Sequence, residues 1–174
     1  MEYFIRTFEN TVRRCWDKPA LTEYRTSDET YGQLAADIEA IHLYFKAAGL
    51  CYGDKIAINA RSSVNWIKTF MAAVSGGYVA VELFNGYTAR DAQALVDHSD
   101  SRILFTEKSI YKDMDFEAMP QLLGVIDLKS GELLASRGEF ANVYAQRDQL
   151  FVQEHPRGLT PEDVHYCDRP MGEL

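Results

Sequence analysis

Residues 49–84 read GLCYGDKIAINARSSVNWIKTFMAAVSGGYVAVELF, and this stretch decides the fold. The runs 55–60 and 78–84 are nearly all apolar, as strands buried on both faces of a sheet are. The residues between them have apolar side chains at helical spacing, and Gly76 and Gly77 are placed to end that helix. Two consecutive strands joined by a helix must run in the same direction. The stretch therefore predicts a parallel sheet.

The residues before this stretch predict a helix, a hairpin and a second helix. Residues 20–25 alternate as a short strand, and the polar turn at 26–29 suggests a hairpin. Thr30 is a predicted N-cap with Gln33 three residues on, which is the spacing of a capping box, and Gly49 is predicted to end this helix. The first helix is predicted to end before Pro19 and to carry Ile5, Phe8, Val12 and Cys15 on one apolar face.

The residues after Ala60 continue the alternation of helices and strands. Ser62 or Ser63 is predicted to cap the helix, and Thr88 with Asp91 to cap the next one, which runs to about His98. The buried stripe of the first of these helices is predicted to be Val64, Ile67, Met71 and Val74.

Further along the chain, 102–106 and 122–127 are apolar strands, and the residues between them are helical or irregular. Residues 129–131 predict a turn, and a helix is predicted from about 137 to 154. Its inward-facing residues are predicted to be Phe140, Tyr144 and Phe151.

Alternating strands and helices predict an α/β fold with a doubly wound, mostly parallel sheet flanked by helices. We divide the chain into an α/β subdomain at 1–155 and a linker rich in proline and glycine at 156–174. A domain that ends in a linker is expected to continue into further chain.

Composition restricts the partners and the compartment. The 174 residues include 47% hydrophobic and 25% charged residues, with a net charge of −8. Nucleic acid and anionic membranes both need a basic surface, so neither is expected as a partner. Three cysteines without a CxxC pair suit free thiols in a reducing cytoplasm, and the N-terminus lacks the apolar core of a signal peptide. We predict a cytoplasmic protein.

The same stretch resembles the N-terminal region of the adenylate-forming (AMP-binding) enzymes, most of all a long-chain fatty acid–CoA ligase. The flanks agree, since 29–34 resemble the family's first core motif and 97–102 its following helix exit. The chain departs from the family at 80–82, where a proline is usual. The matching residues are Gly49, Leu50, Gly53, Asp54, Asn59, Ser62, Trp66, Gly76, Gly77, Tyr78 and Val79.

The resemblance implies ATP, Mg²⁺ and CoA as cofactors of a full-length acyl-CoA synthetase, with a fatty acid or other carboxylic acid as substrate. The family's phosphate loop, a Ser/Thr/Gly-rich stretch closed by Pro-Lys-Gly, does not occur in the 174 residues. We therefore assign no catalytic, cofactor-binding or metal-binding residue to this chain, and we expect it to be inactive by itself. The expected partners are the remainder of the same polypeptide and a second copy in a homodimer.

Several residues could carry chemistry, and each has a simpler interpretation that we favour. An anion could bind at Ser62 and Ser63, where a plain N-cap is the alternative. His98, beside Asp97 and Asp100, could be a general base, but we favour a histidine that the helix dipole stabilises at a helix C-terminus.

The remaining candidates are of the same kind. His165 and Cys167 could be two metal ligands, but zinc needs four. Glu82 could bind a ribose, but no GxGxxG precedes it, so a carboxylate in solvent is favoured. Trp66, Phe70 and Met71 could line an acyl pocket, although their helical spacing favours the core.

Three functions remain open at this point. The leading hypothesis is the N-terminal part of an acyl-CoA synthetase. A stand-alone interaction or dimerisation module without catalysis is the second, and it would use exposed apolar faces as partner surface. A small nucleotide-binding domain of flavodoxin type is the third, and the missing phosphate loop weakens it.

Overall fold

A computed structural model describes residues 4–23 and 28–167. Short 3-10 helices cover Phe116–Ala118 and Pro161–Asp163. The α-helices are α1 (Phe4–Arg14), α2 (Tyr31–Ala47), α3 (Val64–Ser75), α4 (Ala89–His98), α5 (Lys108–Tyr111), α6 (Phe140–Ala145) and α7 (Arg147–Glu154). The strands are β1 (Pro19–Thr22), β2 (Asp28–Thr30), β3 (Lys55–Asn59), β4 (Val79–Glu82), β5 (Ile103–Thr106), β6 (Gly124–Asp127) and β7 (Leu133–Ser136).

The main sheet has the strand order β4-β3-β5-β6-β7. The first four strands in that order are parallel, with Ile56 of β3 in register with Ala80 on one side and Ile103 on the other. Only β7 is antiparallel to its neighbour among the described strands of this sheet. The predicted α/β fold with a mostly parallel sheet is confirmed.

Successive side chains of a strand point to opposite faces of the sheet, so an apolar strand makes both faces apolar. Helices bury both of these faces. Ile56 and Ile58 lie in a buried cluster with Phe45 of α2, whereas Ala57 packs with Val96 of α4 on the other face. Residues 55–60 contain few polar side chains because both faces of this strand are covered by helices.

The predicted ends of the second helix are confirmed. Thr30 accepts a hydrogen bond from the backbone of Gln33, whose side chain accepts one from the backbone of Thr30. At the other end, Gly49 has φ 79°, and Leu50 N donates to Phe45 O at 3.1 Å. This is a Schellman motif, in which glycine adopts the left-handed conformation at little cost.

The prediction that 78–84 is buried is wrong. Strand β4 covers only Val79–Glu82, its first three residues are half-buried, and Glu82 is exposed. Strand β4 lies at the edge of the sheet and pairs with β3 alone. Apolar composition indicates a strand but does not reveal its place in the sheet order.

The predicted helix at 137–154 is also wrong in its extent. The chain first forms β7, which the sequence analysis missed, and the helix is then interrupted at Gln146 between α6 and α7. Arg137 follows β7 instead of opening a helix. Its guanidinium donates to Phe116 O at 3.0 Å and Met119 O at 3.1 Å, which anchors the end of β7 to the segment before β6.

The predicted stripe of α3 is partly wrong. Ile67 is 37% exposed, whereas Met71 and Val74 are buried as predicted. Trp66 and Phe70 face the sheet and stack with ring centroids 5.4 Å apart. Both sets of residues have helical spacing, so the sequence period alone does not choose between them.

Residues 156–167 of the predicted linker fold back over α1 and α3. Val164 is 3% exposed, and its carbonyl accepts from the Arg13 guanidinium. Tyr166 stacks on Phe8 with centroids 5.5 Å apart, and Cys167 N donates to Ser75 O at 2.7 Å. The boundary at 155/156 stays a prediction.

Strands β1 and β2 pair antiparallel, which confirms the predicted hairpin. Of its predicted turn at 26–29, 26 and 27 lie outside the described residues, as do 24 and 25 of the predicted first strand and 168–174 of the predicted linker. Asp28 and Glu29, which were predicted in the turn, belong to β2. No helix in the described part of the chain is long and apolar enough to cross a membrane.

Candidate functional site

The carboxyl ends of β3, β5 and β6 lie side by side, at Asn59, Thr106 and Asp127. From β3 the chain passes to β4 on one side, and from β5 it passes to β6 on the other. Open α/β sheets bind ligands at such a reversal of strand order. This edge holds two clefts of about 360 and 640 Å³, which share Asn65 and Lys129 in their linings.

The N-terminus of α3 opens into the larger cleft. Ser63 Oγ accepts from Trp66 N at 3.1 Å, so Ser63 is the N-cap, whereas Ser62 is exposed. The first backbone amide of the helix, Val64 N, donates to Glu23 Oε2 at 3.3 Å. The place where an external anion could bind this helix end therefore already holds a carboxylate of the protein.

A partly buried ion-pair cluster joins the hairpin to the helices beside the two clefts. Lys68 Nζ lies 2.7 Å from Glu29 Oε2 and 2.7 Å from Asp37 Oδ2. Burial would lower the pKa of Lys68, but the hydrogen bonds that Lys68 donates to Asp37 and Glu29 outweigh it, and the pKa is raised. Lys68 is thus a charged structural group at neutral pH, and it links β2, α2 and α3.

The acidic residues at the ends of β5 and β6 are bonded to the backbone. Glu107 Oε1 accepts from Arg61 N at 3.0 Å, which links the ends of β5 and β3. Asp127 accepts from Lys108 N at 2.8 Å and from Ser130 Oγ at 2.6 Å. Burial acts to raise the pKa of Asp127, and these hydrogen bonds lower it. Both carboxylates fix loops of the protein.

Asn59 ends β3 as a fully buried polar residue. Its Nδ2 donates to Phe84 O at 3.2 Å, and its backbone oxygen accepts from Thr106 Oγ1 at 2.9 Å. Its Oδ1 has no hydrogen-bond partner within the described residues. An unpaired buried acceptor costs free energy because the oxygen has lost its hydrogen bonds to water.

The other predicted candidates stand apart from the carboxyl edge. His98 is an exposed residue in the last turn of α4, and Asp100 pairs with Lys55 at 4.0 Å. His165 Nδ1 lies 3.0 Å from Arg13 Nη2, and no cluster of three metal-ligating side chains occurs in residues 4–23 and 28–167. Glu82 is exposed, which agrees with the favoured interpretation.

Trp66, Phe70 and Met71 belong to the core. Trp66 and Phe70 pack against the cluster between α2, α3 and the sheet, and Met71 lies in a second cluster with Leu34 and Ile38. The favoured interpretation of these residues is therefore confirmed.

A polar cluster that the sequence analysis missed joins α2, α3 and α7. Glu39 Oε2 lies 3.7 Å from His42 Nδ1, and Glu39 Oε1 lies 3.4 Å from His155 Nε2. His42 Nε2 lies 2.9 Å from Ala72 O and 3.2 Å from Ser75 Oγ. Ser75 is only 1% exposed, so no substrate reaches it and the cluster is structural. The acid and His42 are three residues apart, but nothing in the sequence indicates His155.

The comparisons with known proteins agree with the fold. The AMP-binding enzyme family model matches residues 8–167. The acyl-CoA ligase sidI of Beauveria bassiana (strain ARSEF 2860) is 35% identical over 123 residues, which is 70% of this chain. The chain spans only 20% of the length of that relative.

Two solved structures share the fold at low identity. The anthranilate CoA ligase AuaEII, in complex with anthranoyl-AMP, has a TM-score of 0.69 at 15% identity over 83% of this chain and 28% of its own. Coronafacic acid ligase from Pectobacterium brasiliense has a TM-score of 0.67 at 20% identity, over 82% of this chain and 29% of its own. Together with the family match over residues 8–167, these findings show that the chain belongs to the AMP-binding enzyme family.

Proposed function

We propose that this chain is the N-terminal region of an AMP-forming acid–CoA ligase and that it is inactive by itself. The observation that carries the proposal is the family match over residues 8–167 together with the absence of a phosphate loop from the 174 residues. Acid–CoA ligases of this family use ATP, Mg²⁺ and CoA, which we propose as cofactors of the full-length enzyme in the cytoplasm.

The lining of the larger cleft does not favour a nucleoside triphosphate. Glu23 accepts a hydrogen bond from Val64 N at the start of α3, and Glu29 and Glu107 also line the larger cleft. Arg61 and Lys129 are the cationic residues in that lining, so carboxylates outnumber cations there. A triphosphate would meet net negative charge, and we assign no step of the reaction to this chain.

The substrate that we propose for the full-length enzyme is a carboxylic acid. The sidI relative is an acyl-CoA ligase, and a second relative, from Arabidopsis thaliana, is an oxalate–CoA ligase. The names of these two relatives support a carboxylic acid as the substrate, but they do not indicate one common size of acid. The predicted similarity to long-chain fatty acid–CoA ligases therefore remains part of the proposal.

The partner that we propose for this chain is the remainder of the same polypeptide. Phe84 is 67% exposed and Tyr87 is 44% exposed, and their rings are 5.8 Å apart in the loop after the edge strand. Large exposed aromatic side chains at a sheet edge favour a covering element. A dye that fluoresces on apolar surfaces should bind the 174-residue chain, and Phe84→Ser should weaken that signal.

Calorimetry tests the proposal. Titration of the folded 174-residue chain with ATP and Mg²⁺, and separately with CoA, should show no saturable heat at micromolar concentrations. Saturable binding of ATP would contradict the proposal and would favour the flavodoxin-type alternative.

A further inference from the structure

Asn85 and Gly86 form the only asparagine–glycine pair in the 174 residues. They are exposed in the loop between β4 and α4, at the centre of a turn in which Tyr87 N donates to Phe84 O at 3.1 Å. Within residues 4–23 and 28–167, neither the Asn85 side chain nor the Gly86 amide makes a hydrogen bond. Both groups are therefore in contact with water and are not held by the protein.

An asparagine side chain can react with the backbone nitrogen of the residue that follows it. The Gly86 nitrogen, after it loses its proton to hydroxide, attacks Asn85 Cγ, and the bond between Cγ and Nδ2 breaks as ammonia leaves. Water then opens the cyclic imide at either carbonyl and gives aspartate or isoaspartate. The net change exchanges ammonia for water, so the reaction needs no oxidant or cofactor. Glycine favours the attack because it has no side chain and its backbone is the most flexible.

The packing of the loop explains the glycine at position 86. A side-chain carbon at this position would clash with Phe84 Cε1 and would lie 2.9 Å from Phe84 Cζ. Glycine thus lets the Phe84 ring rest against the turn. Because Phe84 is 67% exposed, its ring can also move aside, so alanine at position 86 leaves the fold intact.

The other asparagines are held in place by the fold. Asn59 is fully buried, and the Asn65 side chain donates to Leu128 O at 2.9 Å. Asn10 and Asn142 lie within α1 and α6, where the amide of the following residue is bonded to the preceding turn of the helix. A bonded amide in a fixed helix cannot reach the side chain before it, so these positions should react slowly.

We infer that Asn85 is a site of spontaneous deamidation. The product carries a new carboxylate beside the exposed rings of Phe84 and Tyr87. In the isoaspartyl form the backbone passes through the former side chain, so the spacing between Phe84 O and Tyr87 N changes and the turn opens. The inference is independent of the function proposed above, because the reaction involves only these residues and water.

Mass spectrometry of tryptic fragments measures the reaction in the purified 174-residue chain. Cleavage after Lys68 and Arg90 isolates residues 69–90, in which Asn85 is the only asparagine. During incubation in mildly alkaline buffer this fragment should gain one dalton, at a rate at least about tenfold above that of every other asparagine. A methyltransferase specific for isoaspartate should label the same fragment.

Two variants and a matched control locate the reaction. Gly86→Ala should slow it at least about tenfold, and Asn85→Ser should abolish both the mass change and the label. Gly138→Ala is the control, because Gly138 follows an arginine and should leave the rate at Asn85 unchanged. Thermal unfolding confirms that each variant is folded.

Three results would overturn the inference. The first is an unchanged mass of residues 69–90 under conditions in which a synthetic peptide of residues 82–90 deamidates. The second is a Gly86→Ala variant that reacts as fast as the wild type. The third is another asparagine that reacts faster than Asn85.

Discussion

Glu39 Oε1 lies 3.4 Å from His155 Nε2, and this contact ties the end of α7 to the middle of α2 across 116 residues of chain. The same carboxylate faces His42 on the next turn of α2. One acidic group thus connects three helices, since His42 also contacts Ala72 O in α3. The stability of this junction depends on the charge of Glu39.

We predict that protonation of Glu39 destabilises the fold in acid. The His42 side chain beside Glu39 lowers the pKa of Glu39 below its usual 4.5, against the effect of burial. A carboxyl group with a lowered pKa in the folded state contributes stability above its unfolded pKa and loses it as the pH falls through the folded pKa. The free energy of unfolding should therefore decline below about pH 4.5.

Denaturant titrations at several pH values check this prediction. Glu39→Gln should cost about 1.5 kcal/mol at neutral pH and should flatten the decline in acid. Glu82→Gln is the control, because Glu82 is exposed at the end of β4. An unchanged acid profile in Glu39→Gln would show that this carboxylate does not contribute to the pH dependence.

The two serines before α3 provide a second prediction. Ser63 caps the helix, so Ser63→Ala should lower the free energy of unfolding by about 1 kcal/mol. Ser62 is its exposed neighbour, and Ser62→Ala should change stability by less than about 0.5 kcal/mol. Equal losses in the two variants, measured by urea unfolding, would contradict the assignment of the cap.

Substitutions at two glycines with positive φ, Gly49 and Gly77, provide a test of how residues 156–167 pack. Gly49 and Gly77 have φ of 79° and 80°, so alanine at either position introduces backbone strain and lowers the free energy of unfolding. A side-chain carbon at Gly49 would meet open space, whereas at Gly77 it would lie 2.7 Å from Tyr52 Cδ2 and 2.9 Å from Cys167 Sγ. Gly77→Ala should therefore cost about 1–3 kcal/mol more than Gly49→Ala.

Thermal unfolding of both variants measures the difference. Cys167→Ala should reduce the extra cost at Gly77 and leave Gly49→Ala unaffected, because only Gly77 adjoins the sulfur. An extra cost at Gly77 that is unchanged in Cys167→Ala would show that the Cys167 sulfur does not restrict this position and that Tyr52 alone causes the clash.

The helices and strands that could be predicted are those whose signals lie in their own sequence. Strand β3 has an apolar run between turn residues, and α2 carries its capping box and terminal glycine in its own sequence. These signals involve residues within a few positions of one another. They can therefore be recognised in the sequence without knowledge of the tertiary structure.

The features that were missed depend on distant contacts. Strand β7 has four half-buried residues, and it forms because Gly124 and Val125 of β6 offer it an edge. The exposure of Ile67 follows from the way α3 packs on the sheet through Trp66 and Phe70. The contact of Glu39 with His155 likewise joins residues far apart in the sequence.

The candidate site could be predicted only in part. Its position at the carboxyl edge follows from the parallel strands, but the bonding partners there come from different loops. Glu23 reaches Val64 from the hairpin, and Glu107 reaches Arg61 from the end of β5. Such partners become known only when the order of the strands is known.

We propose that these residues form the N-terminal region of an adenylating enzyme and do not catalyse the reaction by themselves. The most direct test measures pyrophosphate release by the purified 174-residue chain, with ATP, Mg²⁺, CoA and a set of carboxylic acids from oxalate to palmitate. We predict release no faster than in the same mixture without protein. Release that requires both the protein and an acid would contradict the claim.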